Sequence, residues 1–242
     1  MSYLTQFQLA GPFGLFRDPE VPSNDYSSPL PSPSAVIGFV CNCMGFNWGP
    51  DRRGKANNDN PMPFSPELIE WVKKAKPSVA IGVKKAKLKG LLFNRQNISG
   101  NRFKDVWGGN DSATGQPIRM ALFEPEYQIV IEVESEEENV KLRQYLNDPI
   151  RRGYLGNAKM PALVSKIGDY CKDDSIVWAS LSNKRNSMAT PAFAISLNQK
   201  SRLQFIGYLG FADVGAKNTD EDFAIVETET ADKISFISAW KD

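Results

Sequence analysis

The sequence predicts an α+β protein with a ferredoxin-like core, an element order shared with the RNA-recognition fold. Three observations predict it. Short alternating or apolar runs read as strands, and two longer segments carry helical spacing behind capping signals. These follow one another as strand, helix, strand, strand, helix, once a short extra helix is set aside as an insertion. The last third of the chain consists of further strands.

Each element has its own signals. "YLTQFQL" (Tyr3 to Leu9) alternates and is ended by Gly11-Pro12, as a strand should be. The stretch "GPFGLFRDPEVPSNDYSSPLPSP" holds six prolines and reads as a loop. "SPSAVIGFVCNCMG" reads as a helix, with Ser32 as N-cap and Pro33 in the first helical position. Val36, Phe39, Val40, Cys43 and Met44 share its apolar face, and Gly45 provides the stop. "SPELIEWVKKAKP" is the inserted helix, capped by Ser65, begun by Pro66 and followed by Pro77.

"SVAIGVKKAKLKGLLF" reads as one strand, and Asn94 to Gln116 as a long polar excursion before the next. "PIRMALFEPEYQIVIEV" is predicted to be a hairpin reversing at Glu124-Pro125. "SEEENVKLRQYLNDP" is a helix with acidic residues in its first turn and basic ones later, as the helix dipole favours. Its inward face is expected to hold Val140, Leu142, Tyr145 and Leu146. The run Glu132 to Glu138 reads as a solvated acidic face. Beyond "RRGYLGNAKMP", the segments "SIVWASL", "PAFAISL", "RLQFIGYLGF", "DFAIVET" and "KISFISAW" are short strands. The expected division is residues 1–166 as the core, with the excursion at about 94–116, and 167–242 as a β-rich region that completes it or packs on it.

Composition narrows the chemistry. The 29 basic and 28 acidic side chains nearly cancel, so net charge argues neither for nor against nucleic acid. There is no histidine, which excludes Ser-His-Asp and Cys-His mechanisms and most zinc sites. No phosphate-binding loop or dinucleotide fingerprint is present. Three cysteines fit a reducing compartment, with Cys41 and Cys43 expected to be buried in their helix. No signal peptide or membrane span is read, so a cytoplasmic protein is expected, with no metal, no cofactor and no membrane partner.

"LAGPFGLFRDP" followed by "SSPLPSPSAVIGFVCNCMG" resembles the N-terminal signature of the CRISPR-associated protein family 5. "YLGNAKMPALV" looks like that family's Tyr-Leu-Gly segment, and "RMALFEPEYQIVIEV" like its Arg-containing hairpin. The resemblance covers about two thirds of the chain. It implies an RNA-recognition-like core with a protruding thumb, in a non-catalytic subunit of a Cascade-like surveillance complex. The implied partners are the 5′ handle of the crRNA, the backbone subunits that it caps, and the large subunit. Contact with target DNA near the PAM stays open.

Site expectations follow from chemistry and from this resemblance together. Gly11 and Gly14 allow close backbone approach to phosphate, Ser32 and Ser34 lie at a helix N-terminus, and Arg17 adds charge. Arg95, Arg102, Lys104 and Trp107 make the excursion the candidate thumb. Lys85 and Lys87 suit a sheet-face contact or a guarded sheet edge. Arg119, Arg151, Arg152 and Tyr26 complete the RNA-binding set. Some family members cut precursor RNA without metal, and Tyr26 with Lys141 would be the pair to do so here. The missing histidine weighs against it, so the enzyme reading stands as the alternative. A freestanding RNA-binding protein is a third, weaker reading.

Overall fold

β1 (Tyr3–Ala10) alternates as predicted, with Phe7 and Leu9 fully buried on one face. The structure, a computed structural model, describes residues 2–17, 27–46, 65–84, 89–94, 118–156, 160–183, 190–197, 203–210 and 234–241. Three two-residue strands follow, β2 (Phe13–Gly14), β3 (Phe16–Arg17) and β4 (Ser27–Ser28). β3 and β4 pair with each other, so the two stems of the proline loop are held together.

Helix α1 (Pro33–Cys43) begins at Ser32, whose hydroxyl accepts from the Ala35 amide at 3.2 Å. Its predicted apolar face is buried throughout, and Phe39 stacks on Phe7 of β1 with centroids 6.4 Å apart. Helix α2 (Pro66–Ala75) starts at its Ser65 cap and ends at Lys76, just before Pro77. Both helices therefore start where the Ser-Pro signals place them.

The predicted strand over Ser78 to Phe93 is two strands, β5 (Ser78–Lys84) and β6 (Lys89–Asn94). The predicted hairpin is also corrected. β7 (Ile118–Phe123) and β8 (Glu126–Val133) do not pair with each other. β7 pairs with β6 and β2, whereas β8 pairs with β1 and β5. Glu124-Pro125 is a corner between two sheets, with Glu124 at φ 46°.

Helix α3 (Glu136–Asn147) has Leu142 and Leu146 buried and Tyr145 partly buried, but Val140 is 58% exposed. Val140 lies two positions from Leu142, a step that turns it away from the core. Glu138 departs from the expected solvated face: it is 3% exposed, and Lys74 of α2 meets its carboxylate at 2.7 Å.

β9 (Leu163–Gly168), β10 (Ile176–Trp178), β11 (Ser180–Ser182), β12 (Thr190–Ser196), β13 (Leu203–Gly210), β14 (Ile237–Ser238) and β15 (Trp240–Lys241) complete the described elements. The "DFAIVET" strand lies outside the described residues. The central sheet runs β10-β5-β8-β1-β9, with β14 also on β5, and all its pairings are antiparallel. A second sheet runs β11-β13-β12-β15, and a third β2-β7-β6. The chain is thus a mixed α/β fold rich in strand, with three helices among the described residues. One apolar cluster joins Phe7, Ile37, Ile81 and Ile129 to Ala192, Ile195 and Leu209 of the second sheet.

Candidate functional site

The opening loop and the Tyr-Leu-Gly segment, far apart in sequence, lie against each other. The Leu15 amide donates to the Leu155 carbonyl at 3.1 Å. Leu155 is 1% exposed, and its own amide donates to the Met160 carbonyl at 2.9 Å. Tyr154 bridges Pro161, so residues 153–155 and 160–162 form a small antiparallel turn. Gly156 has φ +74°, and a Cβ there would lie 2.1 Å from the Leu15 carbonyl oxygen. No other residue type fits that contact without moving the loop.

These segments edge a cavity of about 330 Å³. Its floor is the small-residue side of α1, Ala35, Gly38 and Asn42. Phe16, Phe39, Tyr154 and Phe193 supply aromatic walls, and Ser32, Ser34 and Thr190 supply hydroxyls. Ser32 and Ser34 share a hydrogen bond of 3.0 Å, and the Thr190 hydroxyl accepts from the Leu30 amide at 3.3 Å. The Asn42 side-chain amide donates to the Arg152 carbonyl at 2.8 Å, leaving its oxygen facing outward from that bond. Arg151 donates to the Phe46 carbonyl at 3.3 Å, and Phe46 also lines the cavity. Two exposed arginines therefore follow beside the C-terminus of α1, Arg151 bonded through its guanidinium and Arg152 through its backbone carbonyl.

The structure places Ser32 and Ser34 in the cavity lining at the start of α1, and Arg151 and Arg152 beside the other end of that helix, outside the lining. Gly11 donates its amide to Pro125 at 3.2 Å, so the expected phosphate bond from that amide is taken. Its close approach is to protein: a Cβ at Gly11 would stand 2.7 Å from both Leu155 and the Pro161 carbonyl oxygen. Gly14 is buried in β2. Tyr26, Lys85, Lys87, Arg95, Arg102, Lys104 and Trp107 lie outside the described residues. The backbones of Arg17 and Arg119 belong to β3 and β7, and their side chains lie outside what is described.

Lys141, the alternative catalytic residue, reaches Glu137 at 2.7 Å and Glu138 at 3.4 Å. The hydrogen bond to Glu137 raises its pKa above the ordinary lysine value, opposite to what a general base requires.

Among the described side chains of β1, β5 and β8, the sheet face away from the helices is no cationic platform. Leu4, Gln6, Gln8, Ala80, Gln128, Val130 and Glu132 alternate onto it, with no basic side chain among those described on β1, β5 and β8. Gln8 bonds Glu126 and accepts from Ser165 at 3.2 Å, while Tyr170 and Trp178 pack beside Val130.

Asn42, Thr190 and Phe193 join the site without a sequence motif to announce them. The spacing of Ala35, Gly38 and Asn42 on one side of α1 is the signal that marks their groove. Among the described residues there is no cluster of metal-ligating side chains, and no helix is long and apolar enough to cross a membrane.

A family model described as CRISPR-associated protein (Cas_Cas5) matches residues 5–193. Comparison with curated proteins gives no match. Among solved structures, a chain titled "CRISPR RNA-guided surveillance complex" is similar at 16% identity and TM-score 0.52, over 86% of this chain and 88% of that one. "Crystal structure of Cas protein" aligns at 14% identity and TM-score 0.43, over 93% and 96%. "Crystal Structure of CRISPR-associated Protein" aligns at 13% and 0.39, over 69% and 67%.

Proposed function

The chain belongs to the CRISPR-associated protein (Cas_Cas5) family, and from that premise we propose that it is a subunit of a CRISPR RNA-guided surveillance complex. In this reading it binds the 5′ handle of the guide RNA, caps the row of backbone subunits and touches the large subunit. The central order β5-β8-β1-β9, with α1 and α3 in the two crossovers, is read as the ferredoxin-like core. The excursion between β6 and β7 is read as the thumb.

One observation carries the reading. The opening loop, the start of α1 and the Tyr-Leu-Gly turn converge on one aromatic-walled cavity, and Arg151 and Arg152 follow beside the C-terminal end of α1, bonded to its lining residues Phe46 and Asn42. Aromatic faces beside cations suit a single-stranded RNA whose bases are unstacked. The sheet face used in the RNA-recognition fold offers no cation among the described side chains of β1, β5 and β8, so the groove beside α1 is the proposed contact. With Lys141 held by two carboxylates, the subunit is proposed to bind RNA without cutting it.

The test is incubation of the protein with its own repeat RNA in EDTA, read by filter binding and on a denaturing gel. Retained, intact RNA is expected. Arg151→Ala with Arg152→Ala should lower the slope of log affinity against log salt by about 0.7 for each phosphate that goes unneutralised. No retention of repeat RNA at physiological salt would sink the proposal, and site-specific cleavage would replace it with the nuclease reading.

A further inference from the structure

The third sheet, β2-β7-β6, continues outward from the bend at Glu124-Pro125. A bent two-stranded ribbon has little to fix its direction, since an isolated hairpin is only marginally stable. Here a third segment crosses the bend. The Gly11 amide donates to Pro125 at 3.2 Å, and the Glu124 amide donates to Pro12 at 3.0 Å. Immediately beyond, Phe13 and Gly14 pair with Phe123 and Leu122, and the Phe13 and Phe123 rings meet at 5.9 Å. A Cβ on Gly14 would reach the Pro125 ring at 3.1 Å. The same loop is tied at its far end to the Tyr-Leu-Gly turn through Leu15 and Leu155.

We propose that Gly11 to Leu15 is a positioning element that fixes the direction of the β6–β7 arm relative to the groove beside α1. Its Gly-Pro-x-Gly pattern is then explained by contacts to Pro125, Leu155 and Pro161, with no ligand required at those glycines. Its functional consequence rests on the reading above, in which the arm and the groove meet one RNA. The element acts through the arm, so its residues are positioning residues.

Spin labels at Asn94→Cys on the arm and Val140→Cys on α3 test this, in a chain carrying Cys171→Ser to remove the exposed thiol. Lys89 to Asn94 spans about 17 Å, so a swing of about 15° displaces Asn94 by about 4 Å. Phe13→Ala and Phe123→Ala should each broaden the distance distribution by about that amount, the double variant should add nothing further, and Phe13→Leu should restore it. Repeat-RNA affinity should fall in Phe13→Ala together with its salt slope, by about 0.7 per phosphate that goes unneutralised, and recover in Phe13→Leu. Unchanged narrow distributions in both alanine variants would overturn the proposal. Broadening with unchanged affinity and slope would overturn its functional half. Absence of RNA binding by the wild type would instead remove the reading on which that half rests.

Discussion

Replacing Gly156 by alanine should be among the most damaging single-methyl additions to this chain. The left-handed backbone at φ +74° costs a non-glycine residue about 1–2 kcal/mol. The new methyl would stand 2.1 Å from the Leu15 carbonyl oxygen, against an ordinary contact beyond 3 Å, so the turn and the opening loop must separate. Overpacking of that kind adds about 1–3 kcal/mol, and breaking the bond from Leu15 to Leu155 adds about 1 kcal/mol. The total is about 3–6 kcal/mol. For a chain of this size, 1 kcal/mol moves the melting temperature by about 2–4 °C, so Tm should fall by at least about 6 °C. The control is Gly168→Ala, where a Cβ meets nothing within 4 Å, and Tm should stay within about 3 °C. Melting followed by near-ultraviolet circular dichroism reads both variants. Equal Tm values for the two would refute the argument that the Tyr-Leu-Gly turn is locked against the opening loop.

Other consequences are simpler to measure. Arg143 of α3 donates to the Thr5 hydroxyl at 3.0 Å and the Leu4 carbonyl at 2.8 Å, and pairs with Asp169, whose side chain is 89% exposed. Arg143→Ala should therefore cost about 1–3 kcal/mol in urea unfolding, and Asp169→Asn less than about 1 kcal/mol; equal costs would mean that the exposed ion pair, and not the buried bonds to β1, holds Arg143. Thiol titration should find one reactive group in the native protein and three in denaturant. Cys171 is exposed, while burial pushes Cys43 up to about 11 and Cys41 still higher, Cys43 adding to the shift. Rapid modification of two or more thiols in the native state would contradict the buried placement of α1.

What is legible in the sequence is what neighbouring residues decide. Ser32-Pro33 and Ser65-Pro66 start helices because a capping hydroxyl and a preset φ act within one turn, and both α1 and α2 begin there. The corner at Glu124-Pro125 is not legible in this way, because a turn signal states only that the chain changes direction. Whether β7 and β8 pair depends on β1, β2, β5 and β6, most of them distant in sequence. Val140 looks inward by its apolarity, though its angular position beside Leu142 argues otherwise. The site divides along the same line. Gly11 and the Tyr-Leu-Gly turn are recognisable as a pattern, but their mutual contact is tertiary. Phe193 and Thr190 join the groove only because the second sheet packs against α1.

The strands that pass from one sheet to the next have a consequence for how the protein is made. The chain at 176–182 leaves β5 and joins β13, and at 237–241 it leaves β5 again and joins β12. Until 237–241 emerges from the ribosome, Val79 and Ile195 both lack a backbone partner that the finished molecule supplies. The two sheets are sewn together by a segment made after the other described strands, so the step that joins them cannot precede its synthesis. During that interval two open edges invite pairing with a second chain. Yield should therefore respond to the rate of synthesis and to chaperone supply.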